Sequence, residues 1–228
     1  GIVADARAAL EGLAQALHGR RIASAGRTDV AEQRAVQQGW LQAMGEQVAA
    51  WSGPGTHPAH AIGAVGAVFG PDAVYCTDGG MTSLWAAMAL PSTRPRSYHG
   101  ILEFGMLGTG IPSALGARLG APDREVVCVT GDGAAGFNVM ELQTAARERL
   151  KVTVVVLAEG EWTMEIPNEM ACYGTTFGTA MGEVRWDKVA EGLGCRAEHV
   201  QATADLPAAL ARARSEEHTS ELQSHSGI

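Results

Sequence analysis

Charge, cysteine and long apolar runs are all in short supply in this chain. Only 18% of its 228 residues are charged, and the formal net charge is −8. Such an acidic balance argues against nucleic acid and against an anionic membrane as partners, since both select clusters of Lys and Arg. The longest apolar stretches fall well short of the ~20 residues that cross a bilayer. No charged-then-apolar leader opens the chain, which leaves secretion without support. The four cysteines, Cys76, Cys128, Cys172 and Cys195, are far apart and form no C-x-x-C pair. Reduced thiols are therefore expected rather than a disulfide framework or a zinc site. A soluble, cytoplasmic protein is expected.

Both ends break the style of the middle. There is no initiator methionine, and ADARAALEGLAQAL is a complete amphipathic helix with nothing before it to pack on. The expectation is the C-terminal part of a longer chain. At the other end RSEEHTSELQSHSGI is polar and aperiodic, and RSEEHTSELQS resembles the conceptual translation of a sequencing-library adapter. Residues 214–228 are read as a non-native tail outside the fold.

What is abundant is apolar residue, at 46%, and glycine, at 29 residues. Residues 2–17 read as a strand end and a helix, and residues 18–55 as a linker with some helix around AEQRAVQQGWLQAMGEQVAAW. From Thr56 the pattern is regular. HPAHAIGAVGAVF places Pro58 in a first helical turn and Ile62, Val65 and Phe69 on one face. Strands are expected at AVYCT, EVVCVT and VTVVVL, with a weaker one near AEHVQ. Helices are expected at SLWAAMAL, SALGARLGA, FNVMELQTAARERL, VRWDKVAEGLG and ADLPAALARA. Strands alternating with helices predict an α/β fold, a parallel sheet with helices on both faces. Ligands of such a sheet bind beyond the strand carboxyl ends. Three glycine-rich turns, DGG, FGMLGTG and GDGAAG, fall there.

GDGAAG matches G-x-G-x-x-G at Gly131, Gly133 and Gly136. Read as a dinucleotide fingerprint, it calls for an acid roughly 20 residues on to grip a ribose, and Glu159 lies near that distance. The motif is weak alone and usually follows the first strand of its fold. Asp132 favours another reading, because a carboxylate inside a phosphate loop repels a pyrophosphate unless a cation stands between them. Mg²⁺ often bridges a carboxylate to phosphates, helix 137–150 would aim its amino terminus at the same diphosphate, and Glu159 or Glu161 would supply a second ligand. Ordinary folding offers a third account: Asp132 caps the helix and the glutamates are solvated.

GDG followed by an EL-x-TA-x-R helix and an apolar strand resembles the diphosphate-binding domain of thiamine diphosphate-dependent enzymes. Within them the acetolactate synthase, benzoylformate decarboxylase and 2-hydroxyacyl-CoA lyase group is nearest. HPAHAIGAV, TDGGMTSLWAA and FGMLGTGIPSALGARLGAPDREVVCVTGDG carry the likeness, which covers about residues 56–213. Residues 2–17 resemble the end of the domain that precedes it in that family.

The resemblance implies thiamine diphosphate and Mg²⁺ as cofactors. Asp132 would ligate the metal, and Gly131, Gly133 and Ala134 would offer backbone amides to the diphosphate, with Gly79 and Gly80 contacting it from another strand. Leu107 would prop the cofactor into its V shape, and Gly105 and Met106 would present backbone groups to the aminopyrimidine. His99, just before this loop, would face substrate or serve structure. The family's asparagine pair is replaced here by Ala158 and Glu159. Glu159 would then be the second metal ligand, Glu161 would offer its backbone carbonyl, and Trp162 completes the cofactor-facing set. Direct ligation by Glu159 and a degenerate site that has lost the cofactor are the alternatives.

The chemistry implied makes or breaks a carbon–carbon bond next to a carbonyl, in a lyase or transferase acting on a 2-keto acid or 2-hydroxyacyl substrate. Its activating glutamate would come from a separate pyrimidine-binding domain of a partner subunit. No catalytic residue is therefore assigned to this chain, the chain alone is expected to be inactive, and a homodimer or homotetramer is expected. A dinucleotide-dependent oxidoreductase and a non-catalytic relative remain the other readings.

Overall fold

The computed structural model describes residues 1, 3–20, 30–100, 103–215 and 220–225. Ile2, residues 21–29, 101–102, 216–219 and 226–228, on which parts of the strand-end, linker, glycine-loop and tail readings fall, lie outside the described residues. The chain divides into two compact units, Gly1–Gln47 and Val48–Ile228. The first contains helix α1 (Ala6–Leu17) and most of helix α2 (Val30–Ala49). Asp5 starts α1, its carboxylate accepting the Ala8 N–H at 3.1 Å. Among the described residues no helix is long and apolar enough to cross a membrane.

The second unit alternates strand and helix. Helix α3 (Pro58–Phe69) leads into β1 (Val74–Asp78), α4 (Gly80–Ala89) and β2 (Tyr98–Gly100). Helix α5 (Gly110–Gly120), β3 (Val126–Gly131), α6 (Asp132–Asn138), α7 (Glu141–Arg147) and β4 (Thr153–Ala158) follow. The unit ends with α8 (Ile166–Tyr173), α9 (Trp186–Gly192), β5 (Arg196–Val200), α10 (Leu206–Ser215) and β6 (Ser220–His225). The sheet order is β2-β1-β3-β4-β6-β5, and every pair is parallel.

Alternation along the strands builds a core on each face. Val127 and Val129 of β3 and Val155 and Leu157 of β4 join Ile62, Val65, Leu206 and Leu210 of α3 and α10. Val126 and Cys128, with Val154 and Val156, join Ile111, Leu115, Leu142 and Trp186 on the other side. A strand buried on both faces must be apolar throughout, which is why EVVCVT and VTVVVL are continuous runs. The fold class expected from the sequence is the one found.

Several local expectations are corrected. GDGAAG is not an open turn, because α6 begins at Asp132 directly off β3. The single helix expected over 137–150 is broken at Val139–Met140, where the Leu142 and Gln143 amides reach back only three residues, to Val139 and Met140. Strand β2 has three residues, too few to show a period. The segment after β4 read as irregular, yet it contains α8, with Pro167 in its first turn and left-handed Gly174 at its end.

Within the stretch read as a tail, α10 runs to Ser215, and Ser220–His225 pair with Thr153–Ala158 on one side and with β5 on the other. A ladder needs only backbone N–H and C=O groups. Composition therefore gave no sign of a strand in SELQSH, which is polar where interior parallel strands are usually apolar.

At the amino ends of the strands Arg124 acts as a three-way tie. Its guanidinium donates to the Asp72 carbonyl at 2.7 Å, the Ala73 carbonyl at 3.0 Å and the Ser97 hydroxyl at 2.9 Å. Arg124→Ala should lower the unfolding free energy by about 1–3 kcal/mol, as expected when buried acceptors lose a charged donor. Arg124→Lys should recover little, because a single ammonium cannot reproduce the fork. Urea denaturation of the two variants measures both effects.

Candidate functional site

The carboxyl ends of β1, β3 and β4 converge, and two buried aspartates organise them by the same device. Asp78, the last residue of β1, accepts the Gly79 N–H on Oδ1 at 2.7 Å and the Gly110 N–H on Oδ2 at 2.6 Å. Asp132, the first residue past β3, accepts the Gly133 N–H on Oδ1 at 2.7 Å and the Gly160 N–H on Oδ2 at 2.6 Å. Each carboxylate thus secures its own turn with one oxygen and grips a loop from a neighbouring crossover with the other. Burial pushes the Asp132 carboxyl above the usual carboxylate range, while the amides of Gly160, Gly133 and Glu159 pull it back down. Backbone donors here do the work water would do for an exposed carboxylate.

Glycine is required where these turns meet. Gly79 has φ +93°, and a Cβ there would lie 3.2 Å from the Gly131 nitrogen, so the β1 and β3 turns touch backbone to backbone. At Gly110 a Cβ would come within 2.7 Å of the Asp78 Cβ and 3.0 Å of the Cys128 sulfur. The FGMLGTG loop is tied down again by Asn138, whose amide donates to the Gly108 carbonyl at 2.7 Å. Phe104, in the left-handed region at φ 60°, is fully exposed on the same loop.

The segment leaving β4 forms the third wall. The Gly160 carbonyl accepts from Met181 and Gly182, Glu161 bridges to Ala180, and the Trp162 amide donates to the Thr179 carbonyl at 2.8 Å. These bonds fold the segment back across the turns. Its side chains then press on the glycines: a Cβ at Gly133 would lie 2.4 Å from the Trp162 ring, and one at Gly80 would lie 2.6 Å from the Met164 sulfur. Thr163 donates its hydroxyl to Glu159 Oε2.

Between the three walls lies a cavity of about 320 Å³. All twelve site residues named from the sequence line it: Gly79, Gly80, Gly105, Met106, Leu107, Gly131, Asp132, Gly133, Ala134, Glu159, Glu161 and Trp162. His99 does not; it is exposed beside a groove between β2 and α5, with Nε2 3.3 Å from the Arg96 carbonyl oxygen. Sequence reasoning passed over Asp78, Thr82, Thr163 and Met164, which also line the cavity. A signal existed only for Asp78, a strand-end aspartate followed by glycine just as Asp132 is. Among the described residues, no three His, Cys, Asp or Glu side chains form a group able to hold a metal ion by themselves.

The family model described as thiamine pyrophosphate enzyme, C-terminal TPP binding domain, matches residues 78–223. The acetolactate synthase isozyme 1 large subunit of Escherichia coli (strain K12) is 32% identical over 151 residues, 65% of this chain and 27% of that protein. The sulfoacetaldehyde acetyltransferase of Alcaligenes xylosoxydans xylosoxydans is 33% identical over 140 residues, 60% of this chain and 23% of that protein. Among solved structures, the thiamine diphosphate-dependent 4-hydroxybenzoylformate decarboxylase of Rhodococcus jostii RHA1 superposes with a TM-score of 0.73 at 27% identity. That match covers 78% of this chain and 34% of that one. The chain therefore spans about a quarter to a third of the length of the proteins it resembles.

The twin carboxylates make a simple forecast. In Asp78→Asn one of the two acceptors becomes an amide donor facing a backbone N–H, so a buried charge-assisted bond is lost. Unfolding free energy in urea should fall by about 1.5–3 kcal/mol, and an unchanged midpoint would show that the Asp78 contacts carry no weight.

Proposed function

The chain belongs to the thiamine pyrophosphate enzymes, as a C-terminal TPP-binding domain. From that premise we propose that it forms part of a thiamine diphosphate- and Mg²⁺-dependent enzyme of the acetolactate synthase type. The reaction makes or breaks a carbon–carbon bond next to a carbonyl, on a 2-keto acid or 2-hydroxyacyl substrate. The observation that carries this reading is the meeting of three glycine turns with Asp132, Glu159 and Glu161 around one cavity.

The residues suit the group. The cavity lies within the range of about 300–1,000 Å³ typical of small-molecule sites. The glycines at 79, 80, 131 and 133 let main chain approach a diphosphate with no side chain between. Hard oxygen donors are what Mg²⁺ requires, and it is usually held by one or two carboxylates together with phosphate oxygens. Asp132 and Glu159 would give their carboxylates and Glu161 its backbone carbonyl, the remaining positions going to diphosphate and water.

When bound, thiamine diphosphate supplies a nucleophilic carbon and an electron sink for the bond change. This chain's part is to hold and orient. The Gly133 and Ala134 amides would bind the diphosphate, and Gly79 and Gly80 would close it in from β1. Gly105 and Met106 would meet the aminopyrimidine with backbone groups, while Leu107 would act as the prop beneath it. Trp162 and Met164 lie against the Gly133 and Gly80 turns. The glutamate that activates the cofactor would belong to a pyrimidine-binding domain of a partner subunit. That arrangement calls for a homodimer or homotetramer, which we place in the cytoplasm.

Glutamate is one methylene longer than asparagine and carries a charge. Beside a diphosphate and Asp132 that charge is tolerable only if the metal neutralises it, which assigns Glu159 to direct ligation. In the full-length protein, Glu159→Ala should raise the Mg²⁺ concentration needed for half-saturation with thiamine diphosphate by more than about tenfold. Loss of an outer-shell partner alone typically costs about 10–100-fold. Calorimetric titration measures it, with NAD as a control that should not bind. Unchanged Mg²⁺ dependence would remove Glu159 from the ligand set.

A further inference from the structure

A glutamate ligand brings a difficulty that a shorter side chain does not. It has one more rotatable bond, and freezing a long polar side chain costs rotamer freedom. Something must hold the carboxylate before the metal arrives, or that cost falls on metal affinity.

Thr163 meets the requirement. It stands on the segment that leaves β4, and the backbone on either side of it is pinned. The Trp162 amide donates to the Thr179 carbonyl at 2.8 Å, and the Glu165 amide donates to the Trp162 carbonyl at 3.0 Å. Glu161, just before it, is bridged to Ala180. A β-branched side chain on such a backbone has a stiff χ1, so its hydroxyl has a defined place. That hydroxyl donates to Glu159 Oε2 and lies 3.5 Å from the Glu161 carbonyl oxygen. A hydroxyl has one proton, and a carboxylate takes it in preference to a carbonyl because the bond is charge-assisted.

We propose that Thr163 is the positioning residue of the metal site: by holding Glu159 Oε2 it restrains the carboxylate that would ligate the metal. The inference rests on the reading of Glu159 as a metal ligand. Thr163 also makes the longer side chain usable, since its hydroxyl gives the carboxylate a fixed anchor four residues further along the chain.

The test uses the full-length protein and the Mg²⁺ dependence of thiamine diphosphate binding by calorimetry, with thermal unfolding in chelator as a check on the fold. Thr163→Val should raise the half-saturating Mg²⁺ by about tenfold, as for loss of an outer-shell partner. Unfolding in chelator should stay put, and Thr163→Ser should behave as the parent. In a Glu159→Ala background, which removes both the metal ligand and the acceptor of the Thr163 hydroxyl, the valine substitution should add little. Thr163→Ala serves the same purpose if the valine variant fails to fold. A normal Mg²⁺ dependence in Thr163→Val, with Glu159→Ala impaired, would overturn the positioning role and leave the ligand reading standing. An equal loss from Thr163→Val in the presence and absence of the Glu159 carboxylate would overturn it too. A Glu159→Ala protein indistinguishable from the parent would sink the ligand reading and the positioning role with it.

Discussion

The second unit depends on two buried carboxylates that do at the ends of adjacent strands what a side chain and a water would do elsewhere. Asp78 and Asp132 each take one amide from the glycine that follows them and one from a loop of another crossover, Gly110 and Gly160 respectively. A carboxylate with both oxygens occupied by backbone N–H groups is strongly held. It is also committed, because any shift of either loop would strand a buried charge. Two of these four bonds, from Gly110 and Gly160, tie α5 to β1 and the segment leaving β4 to β3.

That commitment explains the glycines. Backbone amides reach a short side chain only if the loops carrying them come very close, and a Cβ at Gly79 or Gly110 would meet neighbouring atoms at 3.2 and 2.7 Å. The same closeness leaves main-chain donors uncovered around a cavity at the carboxyl end of a parallel sheet, where ligands of such sheets bind. Packing and binding therefore ask for the same residue at the same turns. A glycine count alone cannot separate the two demands, but the position of three glycine turns beyond successive strands can.

What could be read beforehand was whatever depends on near neighbours in the chain. Continuous apolar runs marked β1, β3 and β4, because a strand buried on both faces has no polar side to alternate with. GDG and the acids after VTVVVL stood out because strand ends are where this topology keeps its ligands. Strand β2 stayed hidden because three residues carry no period, and α8 because its start is masked by Pro167 and by a stretch of mixed polarity. SELQSH, a strand in the sheet, looks like one in no respect, since pairing there is made by the backbone.

The sequence by itself determined the α/β class, the alternation of its longer strands and helices and the residue types available at each strand exit, since all three follow from local period and composition. Only the tertiary structure decided which of those residues act together. That Asp78 matches Asp132 bond for bond, that Thr163 reaches Glu159, and that Trp162 and Met164 lie on Gly133 and Gly80 are facts of distance between segments far apart in the chain or folded back on themselves. They exist because the crossovers return each loop to the same end of the sheet, and no periodicity encodes them.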